Sequence, residues 1–251
     1  MDELTSQVAI VTGAASGIGK AVAEVLAEEG ISGLTLADIN ADGLEVVGDS
    51  VRGKTSTEVL VSATDVSRED EVNRMVASTI ERFERIDILV NVAGIAPTTT
   101  WADTTLDNWN HVINTNLNSA FICFKAVLSH MQARKYGRVV NISSAGAVLG
   151  SVCAHPAYGA SKAGMIAMTK SAAKVHAKDG ILVNAIAPGS IDTPMTDSFG
   201  ECQKQEFKEA APLKRQGTAR EIADAVFYLV SGRSTYVTGA TLHVNGGSLL
   251  V

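Results

Sequence analysis

The chain has 251 residues, of which 46% are apolar and 19% charged, and its formal net charge is −6 at pH 7. Such a length suits one hydrophobic core, and the composition excludes a disordered or fibrous chain. The acidic balance, without a run of five or six like charges, argues against nucleic acid, and no apolar stretch reaches the ~18 residues of a membrane span.

In chain order, Val8-Ala9-Ile10-Val11 reads as a first strand and residues 17–29 as a helix, closed by Gly30. Residues 34–39 form a second strand and 59–62 a weaker third. Residues 68–83 have helical spacing, with Val72, Met75, Val76, Thr79 and Ile80 on one face. A fourth strand follows at 88–92, a long helix at 115–135 closed by Gly137, and a fifth strand at 138–143. Next come a long helix at 158–177, a sixth strand at 181–187, a helix at 221–229 and a last strand at 241–244. This alternation predicts an α/β fold, a doubly wound parallel sheet of about seven strands with helices on both faces. No Pro/Ser-rich linker or internal repeat divides the chain, so residues 1–251 are expected to form one domain. The poorly periodic stretch 192–216 is expected to be a substrate lid.

Between the first strand and first helix lies Thr12-Gly13-Ala14-Ala15-Ser16-Gly17-Ile18-Gly19. Glycines in this position permit a tight turn and a close backbone approach to a pyrophosphate, and the helix N-terminus adds free N–H groups. A P-loop nucleotide hydrolase does not fit. Five residues, not four, separate Gly13 from Gly19, and Ala21 replaces the magnesium-binding Ser or Thr. Asp38 ends the second strand, 19 residues after Gly19. It is either a turn-capping residue or the carboxylate that takes the ribose 2′-hydroxyl of NAD. No nearby Arg stands ready for a 2′-phosphate, which favours NAD.

Tyr158 and Lys162 are four apart on a predicted helix and share a face. A lysine cation beside a phenol favours the phenolate, and so would lower a pKa of ~10 toward neutrality. Taken with Thr12 to Gly19, Asn91-Val92-Ala93-Gly94, Asn116, Ser143-Ser144, Tyr158-Gly159-Ala160-Ser161-Lys162 and Pro188-Gly189, in this order and spacing, the chain resembles the short-chain dehydrogenase/reductase family. The likeness runs from Val8 to Val244 and points to the single-domain branch, with a Rossmann-type sheet.

That resemblance implies an enzyme that moves a hydride between NAD and a ketone or secondary alcohol. Tyr158 would be the general acid/base, and Lys162 would lower its pKa and hold the nicotinamide ribose. Ser144 would bond the substrate oxygen, and Asn116 would support a water relay. It further implies that Gly13, Ser16, Gly17, Ile18 and Gly19 hold the pyrophosphate side of the cofactor, with Asp38 and Ile39 at the adenosine ribose. Asp65 and Val66 would meet the adenine; Asn91, Ala93 and Gly94 would lie beside the cofactor; Pro188, Gly189, Ile191 and Thr193 would meet the nicotinamide. Ala15 and Ser16 stand where NADP enzymes of the family often carry Arg or Lys.

Two departures stand out. Val92 replaces the second Asn of the Asn-Asn-Ala-Gly motif. Ser144 also precedes Tyr158 by 14 residues rather than 13, so Ser144 is the expected catalytic serine only if the intervening loop holds an extra residue, with Ser143 as the alternative.

The remaining residues read more plainly. Cys123, Cys153 and Cys202 are odd in number and lack Cys-x-x-Cys spacing, as expected of free thiols in a cytoplasmic protein, and Met1-Asp2-Glu3-Leu4 lacks a signal peptide's basic start. His155 is either a pocket wall or a solvated loop residue, and the other histidines show no metal-ligand spacing. Trp101 and Trp109 are expected to pack internally. The substrate pocket is expected from residues 96–101, 148–155 and 195–199, and suits an apolar carbonyl or alcohol. Wide apolar coverage of the two long helices points to subunit burial, and the resemblance implies a homotetramer. Two other functions remain in view. A reductase of carrier-protein-bound acyl chains would need a basic docking patch, for which only Arg134, Lys135 and Arg138 qualify. A non-catalytic cofactor-binding sensor would be expected to lack Tyr158 or Lys162.

Overall fold

The computed structural model describes residues 4–150, 154–197 and 199–250, without the side chains of 202 and 203. Cys153, the thiol of Cys202 and parts of two expected pocket stretches, 151–153 and 198, lie outside it.

The chain opens with β1 (Val8–Thr12), α1 (Gly17–Glu28), β2 (Gly33–Asp38), α2 (Ala41–Lys54), β3 (Glu58–Ala63), α3 (Glu69–Phe83) and β4 (Ile88–Asn91). The second half holds α4 (Leu106–Ile113), a π-helical turn Asn114–Asn118, α5 (Ser119–Arg134), β5 (Gly137–Ile142), α6 (Gly146–Leu149), α7 (Pro156–His176) and β6 (Ile181–Pro188). Then follow β7 (Ile191–Asp192), α8 (Pro194–Asp197), α9 (Glu201–Ala210), β8 (Gly217–Thr218), α10 (Ala219–Val230) and β9 (Thr241–Val244).

Seven strands form one parallel sheet in the order β3-β2-β1-β4-β5-β6-β9. Every residue of β1 is buried, as both faces of the sheet are covered. Ala9 and Val11 join a core with α1, α2 and α10, while Ile10 joins a second core with α3, α5 and α7. Strand order reverses between β1 and β4, so the two halves of the sheet part at their carboxyl ends. That crevice is where open α/β sheets bind ligands.

The structure corrects several local expectations. α2 and α4 are full helices that the sequence reading left unassigned. The long helix after β4 is in three pieces: α4, the π-turn around Asn116, and α5. It closes at Lys135, in the left-handed region, not at Gly137, which already belongs to β5. The stretch 192–216 contains α8 and α9, and its ends are held together where β7 pairs with β8. Trp101 is 78% exposed and does not pack internally.

Candidate functional site

A cavity of about 740 Å³ opens at the carboxyl ends of β1, β4 and β5, within the range of small-molecule sites. One end is the β1–α1 loop. Gly13 has φ +65°, and a side chain there would meet the backbone of Ala93 at 2.9 Å. A Cβ at Gly19 would overlap the carbonyl of Gly13, so the turn closes only on glycine. Ser16 caps α1 by backbone alone, and no acidic side chain stands in the first turn. The first-turn N–H groups at Gly17, Ile18 and Gly19, which line the cavity, are therefore left for an anion.

Asp38 meets this loop from the end of β2. Its Oδ2 accepts from the Ala15 N–H at 3.2 Å and its Oδ1 from the Asn40 N–H at 3.0 Å, which aims the carboxylate at the cavity it lines. Ile39, 76% exposed, continues the rim. Asp65 is held by Ser67, whose N–H and hydroxyl donate to Oδ1 at 2.9 and 2.7 Å. Val66, Ala93, Gly94, Pro188, Gly189, Ile191 and Thr193 complete this lining. A glycine turn, an uncapped helix end and a fixed carboxylate together fit an extended dinucleotide.

Two expected site residues lie elsewhere. Asn91 is buried inside the sheet, where its Nδ2 donates to Asn141 Oδ1 at 2.8 Å, so it supports the strand ends without lining the cavity. Asn116, in the π-turn, is also fully buried. It accepts from the Ile95 N–H at 2.8 Å and donates to the Ile95 carbonyl at 2.9 Å and to Ser161 Oγ at 3.2 Å. Its contribution runs through the backbone after β4, next to Lys162: its Oδ1 and the lysine Nζ both approach Gly94.

At the other end of the cavity, Ser144, Tyr158 and Lys162 come together. The Ser144 hydroxyl faces the same cavity as the Tyr158 phenol and is held by the Gly146 N–H, which donates to it at 3.0 Å. Ser143 instead donates to the carbonyl of Lys162 at 2.8 Å and ties β5 to α7. The geometry therefore favours Ser144 over Ser143, whose hydroxyl is committed to the Lys162 carbonyl.

The electrostatics differ from expectation. Burial pushes the Tyr158 phenol above its ordinary value, against a smaller lowering by the neighbouring Ser144 hydroxyl. Burial also pulls the Lys162 amine down to about 8. Lys162 Nζ donates to the Ile142 carbonyl at 2.7 Å and stands over the Tyr158 ring, 6.0 Å from its centroid. His155 is neither pocket wall nor solvated. It is fully buried, and its Nδ1 accepts from the Ala157 N–H at 3.0 Å as the cap of α7.

The cavity also takes residues the sequence reading passed over. Thr64, Ser67, His111 and Thr115 lie on its walls, with Phe207 and Ser248 farther along. Thr115 stood beside Asn116 in a recognisable run; Phe207 and Ser248 arrive from distant segments and carry no local signal.

A parallel sheet with a dinucleotide crevice and a Ser-Tyr-Lys group at its mouth defines a Rossmann-type oxidoreductase. Residues 13–248 match the family model described as enoyl-(acyl carrier protein) reductase. The chain is 37% identical over 251 residues to the 3-oxoacyl-[acyl-carrier-protein] reductase of Vibrio cholerae, covering 99% of each chain. The solved structure of levodione reductase superposes with a TM-score of 0.92 at 35% identity, covering 97% of this chain and 98% of that one. That of gox2181 gives 0.93 at 32%, covering 98% and 97%. The chain belongs to the short-chain dehydrogenase/reductase family, in the 3-oxoacyl-reductase-like branch.

Proposed function

We propose that this chain interconverts a free, apolar ketone and its secondary alcohol with NAD(H), working as a homotetramer in the cytoplasm. The observation that carries the reading is the convergence of Ser144, Tyr158 and, one turn on, Lys162 on one cavity that also holds the glycine turn and Asp38. The cofactor supplies or accepts the hydride. Gly17, Ile18 and Gly19 would hold its pyrophosphate, and Asp38 would hold its adenosine ribose. In reduction, Tyr158 gives its proton to the carbonyl oxygen while Ser144 bonds that oxygen; in oxidation, Tyr158 takes the proton back. A raised phenol pKa keeps the acid form present for reduction. Ile95, Ala96, Leu149, Met195 and Phe199 make the substrate side of the cavity apolar.

A second reading, reduction of 3-oxoacyl chains on a carrier protein, is favoured by the activity for which the Vibrio cholerae relative is named. The basic patch it calls for is largely neutralised. Lys135 pairs with Asp179 at 3.1 Å, Arg134 lies 3.9 Å from Asp87, and Arg138 is buried against Tyr136 and the Gly180 carbonyl. That supports a free substrate.

The test is a panel of free ketones beside a carrier-bound 3-oxoacyl thioester, each with NADH and NADPH. Free ketones with NADH are expected to turn over fastest, and preference for the carrier-bound thioester would overturn the choice of substrate. Tyr158→Phe is expected to lose about 10²-fold or more in turnover with NADH affinity nearly unchanged. Retention of more than about a tenth of the rate would remove Tyr158 from the acid/base role.

A further inference from the structure

His155 touches three separate segments. Its backbone N–H donates to the Pro97 carbonyl at 2.7 Å, in the loop after β4. Its Nδ1 accepts from the Ala157 N–H at 3.0 Å, in the first turn of α7, and its carbonyl accepts from the Tyr158 N–H at 2.8 Å. Its Nε2 lies 3.0 Å from Asn108 Oδ1 on α4. The ring is fully buried.

These contacts define the tautomer twice over. A backbone N–H can only donate, so Nδ1 carries no proton. Asn108 Oδ1 also accepts from the Thr105 N–H at 2.9 Å, so the atom facing Nε2 is an oxygen and Nε2 carries the hydrogen. Both ends require the same neutral imidazole, and burial acts in the same direction on its titration.

An ordinary cap residue needs only the Nδ1 contact. The Nε2 contact serves something else: it links α4, which contributes His111 to the cavity wall, to the turn that carries Tyr158. We infer that His155 is a positioning residue for Tyr158, a strut whose ring holds the acid/base phenol at a set distance from the cavity wall formed by α4. The inference rests on the acid/base reading of Tyr158. Misplacement of a reacting group by about 1 Å can cost on the order of 10²-fold in rate, so a strut at this point would be felt in turnover.

The two ring nitrogens can be tested separately. In His155→Asn the side-chain oxygen replaces Nδ1 and keeps the cap, as Asn is among the best capping residues, but it is too short to reach Asn108. In His155→Gln the amide nitrogen reaches toward Asn108, while the cap is lost. Thermal unfolding, NADH affinity and steady-state kinetics with the best ketone of the panel are measured for both, beside Tyr158→Phe. His155→Asn is expected to unfold within about 2 °C of the wild type and to bind NADH equally well, yet to lose roughly 10-fold in kcat. His155→Gln is expected to unfold several degrees lower and to keep most of its kcat. A role in stability alone predicts that kcat follows the unfolding temperature. Wild-type kcat in His155→Asn, or kcat losses that follow stability in both variants, would overturn the inference. If Tyr158→Phe is inactive while His155→Asn turns over normally, only the His155 assignment falls. If Tyr158→Phe stays active, the acid/base reading falls and the strut with it.

Discussion

Lys162 shows at the scale of one residue how the site opposes the fold. Its side chain is 4% exposed, and burial brings the amine from 10.5 to about 8. Below pH 8 the ammonium is present in both folded and unfolded chains, and the folded chain bears a desolvation cost of about 3 kcal/mol. Between pH 8 and 10.5 the unfolded chain holds a proton that the folded chain has released, so stability rises with pH across this window and the cost disappears above it. The Ile142 carbonyl, which accepts a hydrogen bond from the ammonium at 2.7 Å, returns about 1 kcal/mol of that. Lys162→Met is therefore expected to be more stable than the wild type by about 1–2 kcal/mol at pH 7, to lack the rise between pH 8 and 10.5, and to be inactive. Urea unfolding at two pH values checks it; a less stable variant at pH 7 would show that the amine is not a destabilising group. The pair Tyr158 and Lys162 was legible from its spacing, but the direction of the phenol's shift was not, because it is set by burial in the folded chain.

Among the elements, legibility followed the strength of the local pattern. The central strands of the sheet were readable because short apolar runs such as β1, β4 and β5 are buried along their whole length, while the partly exposed β3 gave a weaker pattern. α2 escaped notice because it carries Gly43, Gly48 and Gly53, which weaken a helical pattern, and buries only Leu44, Val47, Gly48 and Val51. α4 is eight residues long with a single buried residue, Val112, and is held instead by the Thr105–Asn108 capping box. α2 nonetheless shapes the cofactor end. Asn40 caps it by accepting from the Gly43 N–H at 3.0 Å, and the Asn40 N–H in turn orients Asp38. A 2′-phosphate at the end of β2 would face this carboxylate. At about 4 Å and an effective dielectric of ~20, each unit of like charge costs roughly 4 kcal/mol before screening. A preference of about 10²-fold for NAD over NADP is expected after screening is allowed for. Asp38→Ala with Ile39→Arg removes the repulsion and adds a fork for phosphate on an exposed position, so the ratio of kcat/KM for the two cofactors should move toward NADP. Equal use of both cofactors by the unmodified enzyme would mean that Asp38 does not read the ribose.

For the whole molecule, the helices of one layer leave a surface that the single chain does not cover. α5 and α7 lie side by side, joined where Phe124 meets His176 edge-on at 5.6 Å between centroids. Their inner sides belong to the core and, on α7, to Tyr158 and Lys162. Outward, α5 shows Phe121, 52% exposed, and α7 shows Ala160, Ala167 and Val175, the last 53% exposed. Small residues on an outward helix face let a second helix approach to the ~8–10 Å of close packing, and a bulky aromatic beside them supplies apolar area. A two-fold interface doubles each contact, because the same patch is used by both partners. We therefore place a subunit contact of the proposed homotetramer on this face. Ala167→Glu would set a carboxylate into that contact once from each partner, and each buried unpaired charge costs several kcal/mol. The wild-type chain of 26.2 kDa is expected to scatter light as a tetramer, and the variant as a dimer or monomer that still binds NADH, since position 167 lies five residues beyond Lys162 on the exposed side of α7. A variant of unchanged mass would put the contact on another face; a monomeric wild type would remove the tetramer and leave Phe121 and Val175 as exposed apolar residues with no partner to cover them.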